Sequence, residues 1–202
     1  MTGDACVEAS GVPETGGRRL DLRGFSVQRG DVCLVEGECA PVLFSGFLPP
    51  AKSCIRVLGA EAGGVEVRAV AAIAARDLPV IPGLTVLEHL LLAVRLGGPR
   101  ARGSGLDFSA TLAVAGLAAG EEALASALAP RDRFRLSLAM MMVRPVPLWV
   151  AGAWGEEIGP AAVEALRRHA SDGGAVIVAG WSGQLRPAIR LLAAGGRVRA
   201  VR

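Results

Sequence analysis

Lys52 is the single lysine among 202 residues. It lies in "SGFLPPAKSC" (45–54), where Gly46, four residues and then Ala51-Lys52-Ser53 fall one glycine short of the phosphate-binding pattern G-x-x-x-x-G-K-[ST]. That chemistry needs a nest of backbone N–H groups at glycine-permitted angles, opening into a helix, with the lysine on the phosphates. Pro49 and Pro50 remove two donors, and Ala51 stands where a glycine is wanted. A second near match is "GWSGQ" (180–184), with Ser182 at a strand-to-helix bend and Gln184 replacing the last glycine of G-x-S-x-G. A hydrolase elbow wants its histidine after the serine, and both histidines, His89 and His169, come before it. Ser182 therefore reads as a capping serine. The histidines fall on the first and last turns of expected helices and read as solvated. Glu156 and Glu157 are adjacent, face different directions, and read as solvated carboxylates, not an acid/base pair. Cys6, Cys33, Cys39 and Cys54 have no CxxC spacing, so no metal site is expected, and the free thiols suit a reducing cytosol.

The rest of the composition narrows the class. Hydrophobic residues make up 51% of the chain and charged residues 20%, enough for one core-building domain with apolar surface to set against a partner. Net charge is +3, with 21 arginines scattered along the chain and no basic run interleaved with aromatics, which argues against a nucleic-acid partner. "MTGDACVEAS" has neither the basic start nor the apolar core of a signal peptide. No apolar run approaches the ~20 residues of a membrane span.

The elements that would position these residues follow from periodicity. "LDLRGFSV" and "DVCLVEG" read as strands split by a turn at Arg29-Gly30, and "SCIRVLG" as a third strand. "GVEVRAVAAIA" fits helix or strand. "LTVLEHLLLAVRLGG" (84–98) is a helix with a Thr85/Glu88 capping box, Leu87, Leu90, Leu91 and Val94 on one face, and two glycines to stop it. "GGPRARGSG" is a loop. Residues 107–143 are mostly helical, ending in a buried "RFRLSLAMMMV". A β–α–β–α–β series closes the chain: "VPLWVAG", a helix begun by Pro160, "AVIVAGW", a helix over "QLRPAIRLLAAGG" with Pro187 in its first turn, and "RVRAV". Unbroken apolar strands alternating with helices predict a mainly parallel sheet covered on both faces.

The order of these pieces resembles the nucleotide-binding domain of ABC transporters over nearly the whole chain. "LRGFSVQRGDVCLVEG" is similar to the family's opening hairpin, with its Gly-acid turn at Gly30-Asp31 and the strand into the P-loop. "GFLPP" is similar to the segment after the P-loop helix. "IPGLTVLEHLLLAVRLGG" is similar to the stretch after the Q-loop that faces the membrane subunit. "RLSLA" stands in the helix after the signature, "VPLWVAGAW" in the Walker B strand, and "GGAVIVAGW" in the strand ending at the switch histidine. The resemblance implies an α/β, P-loop NTPase-like ABC ATPase fold. It would be one domain over residues 1–202, with N-terminal antiparallel strands and a helical subdomain at approximately 84–143. The short strand motifs "LVEG", "PLWV" and "GGAVIVAGW" also look like the haem-exporter ATPase subunit of cytochrome c maturation.

The family's chemistry is missing from the matching positions. Counted from Arg135 without gaps, the Walker B aspartate falls on Gly152, the catalytic glutamate on Ala153, the D-loop aspartate on Gly159 and the switch histidine on Trp181. The signature becomes Leu128, Ala129, Pro130, Arg131, Asp132; the Q-loop glutamine falls near Arg76 and the adenine-stacking aromatic near Thr15. Magnesium wants hard oxygen ligands and hydrolysis a group that orients water; Gly152, Ala153 and Trp181 supply neither. Two alignments of Lys52 stay open. In one, "LVEG" (34–37) enters a P-loop that has been deleted, and Lys52 is a surface residue on a hairpin turn. In the other, "PVLFSGFLPPAKSC" is strand, loop and helix start, and Lys52 is the Walker lysine.

The resemblance thus implies no catalytic residue, no metal and no cofactor, with ATP and magnesium binding weak or absent. The expected role is a pseudo-ATPase subunit of an ABC transporter, structural or regulatory, cytoplasmic and peripheral to the inner face of the membrane. Its partners would be a membrane permease and either a motif-complete ATPase or a second copy of itself, and the contact would be the helix from Thr85 with the loop before it. The alternatives are a weakly nucleotide-binding subunit using Lys52, in haem export, and a serine hydrolase using Ser182.

Overall fold

The computed structural model of the chain describes residues 5–9, 14–15, 18–19, 25–36, 55–61, 64, 66–75, 78–96, 105–153, 158–180, 189–194 and 197–201. The strands are β1 (Ala5–Ala9), β2 (Glu14–Thr15), β3 (Arg18–Arg19), β4 (Ser26–Gln28), β5 (Val32–Glu36), β6 (Ile55–Val57), β7 (Ala60–Glu61), β8 (Ala71–Ala75), β9 (Leu148–Gly152), β10 (Ala175–Ala179), β11 (Ile189–Ala194) and β12 (Arg197–Val201). The helices are α1 (Val86–Leu96), α2 (Phe108–Ala115), α3 (Pro130–Met142) and α4 (Pro160–Ser171).

A six-stranded sheet in the order β12-β11-β5-β10-β9-β8 forms the centre. Its strands are parallel except at the β11–β12 hairpin. A second, antiparallel sheet in the order β4-β1-β6-β7 lies against one face of it. Side chains alternate across the central sheet, so each strand feeds two cores. Leu34, Ala72, Ala74, Trp149, Ala151, Val176 and Val178 pack with the four helices. Cys33, Val35, Ala71, Leu148, Val150 and Ile177 pack with Val7, Val27, Ile55 and Val57 of the antiparallel sheet. Burial on both faces is why these strands read as unbroken apolar runs.

Several expectations hold locally. Glu88 Oε2 accepts from the Thr85 N–H (2.8 Å) and Thr85 Oγ1 from the Glu88 N–H (3.2 Å), completing the capping box at α1. Pro130 and Pro160 open α3 and α4, where a missing N–H costs nothing. In α3, Phe134, Leu136, Leu138 and Met141 are buried, as the all-round apolar pattern predicts. "GVEVRAVAAIA" resolves into a 3-10 turn over Glu66–Ala69 and the strand β8.

Four expectations are corrected. Residues 189–194, expected in a helix, form β11, parallel to β5 and paired with β12. Leu and Ala are good helix formers, but propensity is a weak prior where an open sheet edge supplies backbone partners. The expected opening hairpin is a turn between sheets: β4 pairs with β1, whereas β5 joins the central sheet. Gly30 (φ +87°) and Asp31, whose carboxylate accepts the Gln28 N–H at 2.8 Å, make the turn. The inward face of α1 is Val86, His89, Leu90, Ala93 and Val94, while Leu91 is exposed. Lastly, His89 is buried and His169 half-buried, where both were expected in solvent.

Candidate functional site

In an open parallel sheet the ligand site lies beyond the carboxyl ends of the strands. Here the register brings four ends to one level: Ala179 of β10 is opposite both Val35 of β5 and Gly152 of β9, and Gly152 is opposite Ala75 of β8. Val35, Ala75, Gly152 and Ala179 are buried and carry no side-chain oxygen. Ala153, one residue beyond β9, is 0% exposed. Backbone donors at this level are already used: the Ala153 N–H bonds to Ala179 O (2.8 Å) and the Gly180 N–H to Val35 O (2.7 Å). The two positions expected to carry a metal-holding aspartate and a catalytic glutamate are therefore sealed apolar ones. Among the described residues no group of three His, Cys, Asp or Glu side chains converges to hold a metal.

The residues that follow these strands, 37–54, 76–77, 154–157 and 181–188, lie outside the described residues. Lys52, Arg76, Glu156, Glu157, Trp181 and Ser182 are among them. Thr15 belongs to the two-residue strand β2, paired with β3. Two neighbouring observations bear on the near-match motifs. Ile55–Val57, where a helix should run if Lys52 were a Walker lysine, is the strand β6, antiparallel to β1. Ile189–Ala194, the run after Ser182, is strand and not the helix of a hydrolase elbow.

The signature position is the N-terminus of α3. Ala129 is its N-cap and makes no side-chain cap bond, and Pro130 removes one backbone donor. The nearby charges are turned inward on the chain. Arg133 donates from Nε to Leu128 O (3.1 Å) and from Nη2 to Ser126 O (3.1 Å). Asp132 pairs with Arg135 at 3.1 Å. Arg131 and Pro130 are exposed at the tip.

Beside this tip opens a cleft of about 780 Å³, walled by Pro79, Val80 and Pro82 on one side and by Ser126, Pro130 and Arg133 on the other. Ile81 (48% exposed) and Leu124 (49%) are among the few exposed large apolar residues. Thr85 and Leu124 form an isolated antiparallel bridge, and the Ala125 N–H bonds to Leu84 O at 3.0 Å, so the two walls are tied. His89 fixes the near wall. It is 2% exposed, its Nε2 accepts the Ile81 N–H (3.0 Å), and its Nδ1–H donates to Thr85 O (2.8 Å). Both ring nitrogens are thus hydrogen-bonded to backbone, which fixes the orientation of the ring.

His169 is half-buried and stacks on Trp149, with ring centroids 3.8 Å apart and planes 4° from parallel. Burial pulls its pKa below the ordinary value, against smaller opposing effects of the Pro147 carbonyl and Asp172. The sequence missed both histidines because position along a helix says nothing of azimuth. His89 does sit three residues after Val86 and four before Ala93, a spacing that could have revealed it.

No family model matches the chain, and no curated protein matches it by sequence. Solved structures match its shape. The ATP-binding subunit of an ABC transporter superposes with a TM-score of 0.76 at 16% identity, covering 96% of this chain and 88% of that one. An ATP-binding cassette in a dimeric post-hydrolysis state with ADP and Pi gives 0.72 at 15% identity, covering 98% of each. A subunit of the ABC transporter complex cbiONQ from Clostridium perfringens gives 0.64 at 15% identity, covering 97% and 87%. At such identities the likeness carries architecture and not activity: the chain is folded as an ABC ATPase domain, with a mainly parallel sheet and added antiparallel strands.

Proposed function

We propose that this chain is a catalytically silent ABC-type subunit, a structural or regulatory partner in a transporter complex. The observation that carries the reading is the pair Gly152 and Ala153. Both are buried at the carboxyl end of β9, with no side-chain oxygen for a metal or a water. Ala75 and Ala179, at the ends of β8 and β10 beside them, carry no side-chain oxygen either, and Pro130 thins the donors of the signature position.

Nucleotide binding through Lys52 is the second reading, and the strand at Ile55–Val57 counts against it, since phosphate loops open into a helix. Against a hydrolase using Ser182 stands the strand at Ile189–Ala194, in a run where the elbow's helix would continue. The cleft beside Ile81, Leu124 and the N-terminus of α1 is the surface we assign to a membrane permease, cytoplasmic side, and among the described residues no helix is long and apolar enough to cross a membrane itself. By the resemblance of its strand motifs, a haem-exporting permease is the first partner to try. The other subunit would be a motif-complete ATPase or a second copy. Phosphate release from Mg-ATP tests the reading: the purified chain, alone and with its co-purifying transporter subunits, should not exceed a heat-inactivated control through this chain's own site. A rate that tracks this chain's concentration would overturn it.

A further inference from the structure

Between α2 and α4 opens a second cleft, of about 310 Å³, beside Trp149 near the amino end of β9. Its apolar lining comes from three helices and the sheet: Val114 on α2, Met142 at the end of α3, Ala165 on α4, and Trp149. The Trp149 ring is fixed within the protein itself. Its indole N–H donates to Arg144 O at 3.2 Å, and the His169 ring stacks on it with centroids 3.8 Å apart. A cleft of this volume, with apolar walls and a preset aromatic, suits the body of a small molecule.

The polar groups of the cleft belong to α4. Ala165, Arg168, His169 and Asp172 recur at helical spacing, so one face of α4 lines it. The Thr111 hydroxyl on the opposite wall is already committed, donating to Asp107 O at 2.9 Å. Arg168 and Asp172 are exposed on the rim, and neither forms an ion pair among the described residues. They lie four residues apart, which on a helix sets their Cβ atoms about 6 Å apart. Asp172 also caps the C-terminus of α4, where its carboxylate adds to the negative end of the helix dipole and a cation is favoured. A ligand head bearing a carboxylate and an ammonium on one carbon answers both charges. A carboxylate alone leaves Asp172 without a partner, and an amine alone leaves Arg168 without one. We infer that this cleft binds a free α-amino acid with a large apolar side chain. Its carboxylate meets Arg168, its ammonium meets Asp172, and its side chain lies against Met142 and Trp149. The inference does not rest on the function proposed above, because none of these residues stands at the carboxyl ends of the strands.

L-Phenylalanine is the probe, titrated into the full chain with methionine labelled at its methyl carbon. The methyl resonance of Met142, assigned by its loss in Met142→Leu, reports on the cleft. The expected result is a saturable movement of that resonance. Phenylpropionate and phenylethylamine, each keeping the ring and one of the two charges, should bind at least about tenfold more weakly. Arg168→Gln and Asp172→Asn, both at exposed side chains, should each weaken phenylalanine binding at least about tenfold while the unliganded melting temperature holds. Arg95→Gln, exposed on α1, should leave binding unchanged. A Met142 resonance that does not move saturably would overturn the inference. So would phenylpropionate binding as tightly as phenylalanine, or undiminished binding in either rim variant.

Discussion

Leu58 adopts φ +48°, beside Gly59 at φ +85°, in the two-residue turn joining β6 to β7. Two left-handed residues in succession make the hairpin turn that matches strand twist, and its first position belongs to Asn, Asp or Gly, not to a leucine. The side chain is partly exposed and gains little from packing. Leu58→Asn should raise stability by about 1 kcal/mol, read as a shift in the urea midpoint at unchanged slope. His169 supplies a pH-dependent counterpart. Its folded pKa is lowered from 6.5, so the unfolded chain takes up the proton first on acidification. Its contribution is full above that value and is lost as pH falls below it towards the folded pKa. Comparing urea midpoints at about pH 7.5 and about pH 5.5, His169→Asn should flatten part of the fall. Gly174→Ala should do so too, because a Cβ there would lie 2.3 Å from His169 Nε2, and the ring is pinned against Trp149. An unchanged slope in both variants would show that His169 is not the group responsible. These packing partners were illegible in the sequence, since His169, Trp149 and Gly174 come together only when α4 lies down on β9 and β10.

Elements were more legible than contacts. β9 and β10 could be read from their apolar runs because burial on both faces leaves no alternation to interpret. α1 could be read from its cap, and α4 from Pro160. β11 could not, because "IRLLAA" has helical composition and its partner β5 lies about 150 residues earlier, beyond any local signal. The Gly195-Gly196 step between two short apolar runs was the available hairpin cue. α1 also carries a prediction. His89→Ala removes a buried ring and strands the Ile81 N–H, so it should cost about 2 kcal/mol and loosen residues 78–84, seen as faster amide exchange there than in α3. If that segment keeps its protection, His89 does not hold the cleft wall.

On the scale of the whole molecule, the ABC architecture was legible from the order of elements, while the chemistry was legible only as substitutions at counted positions. The fold shows what the two substitutions at the end of β9 have in common. Once Gly152 and Ala153 pack as core, a carboxylate at either place is cut off from solvent. Ala153→Glu should therefore not restore hydrolysis and should destabilise the domain by at least about 3 kcal/mol, measured by denaturant unfolding. Nucleotide binding is where a silent subunit and a working one differ most. The most direct measurement is a calorimetric titration of the full chain with Mg-ATP, run beside Lys52→Ala. No saturable heat is expected from either protein at ATP concentrations that fill an ordinary ABC site; saturable binding by the wild-type chain that Lys52→Ala abolishes would contradict a silent site.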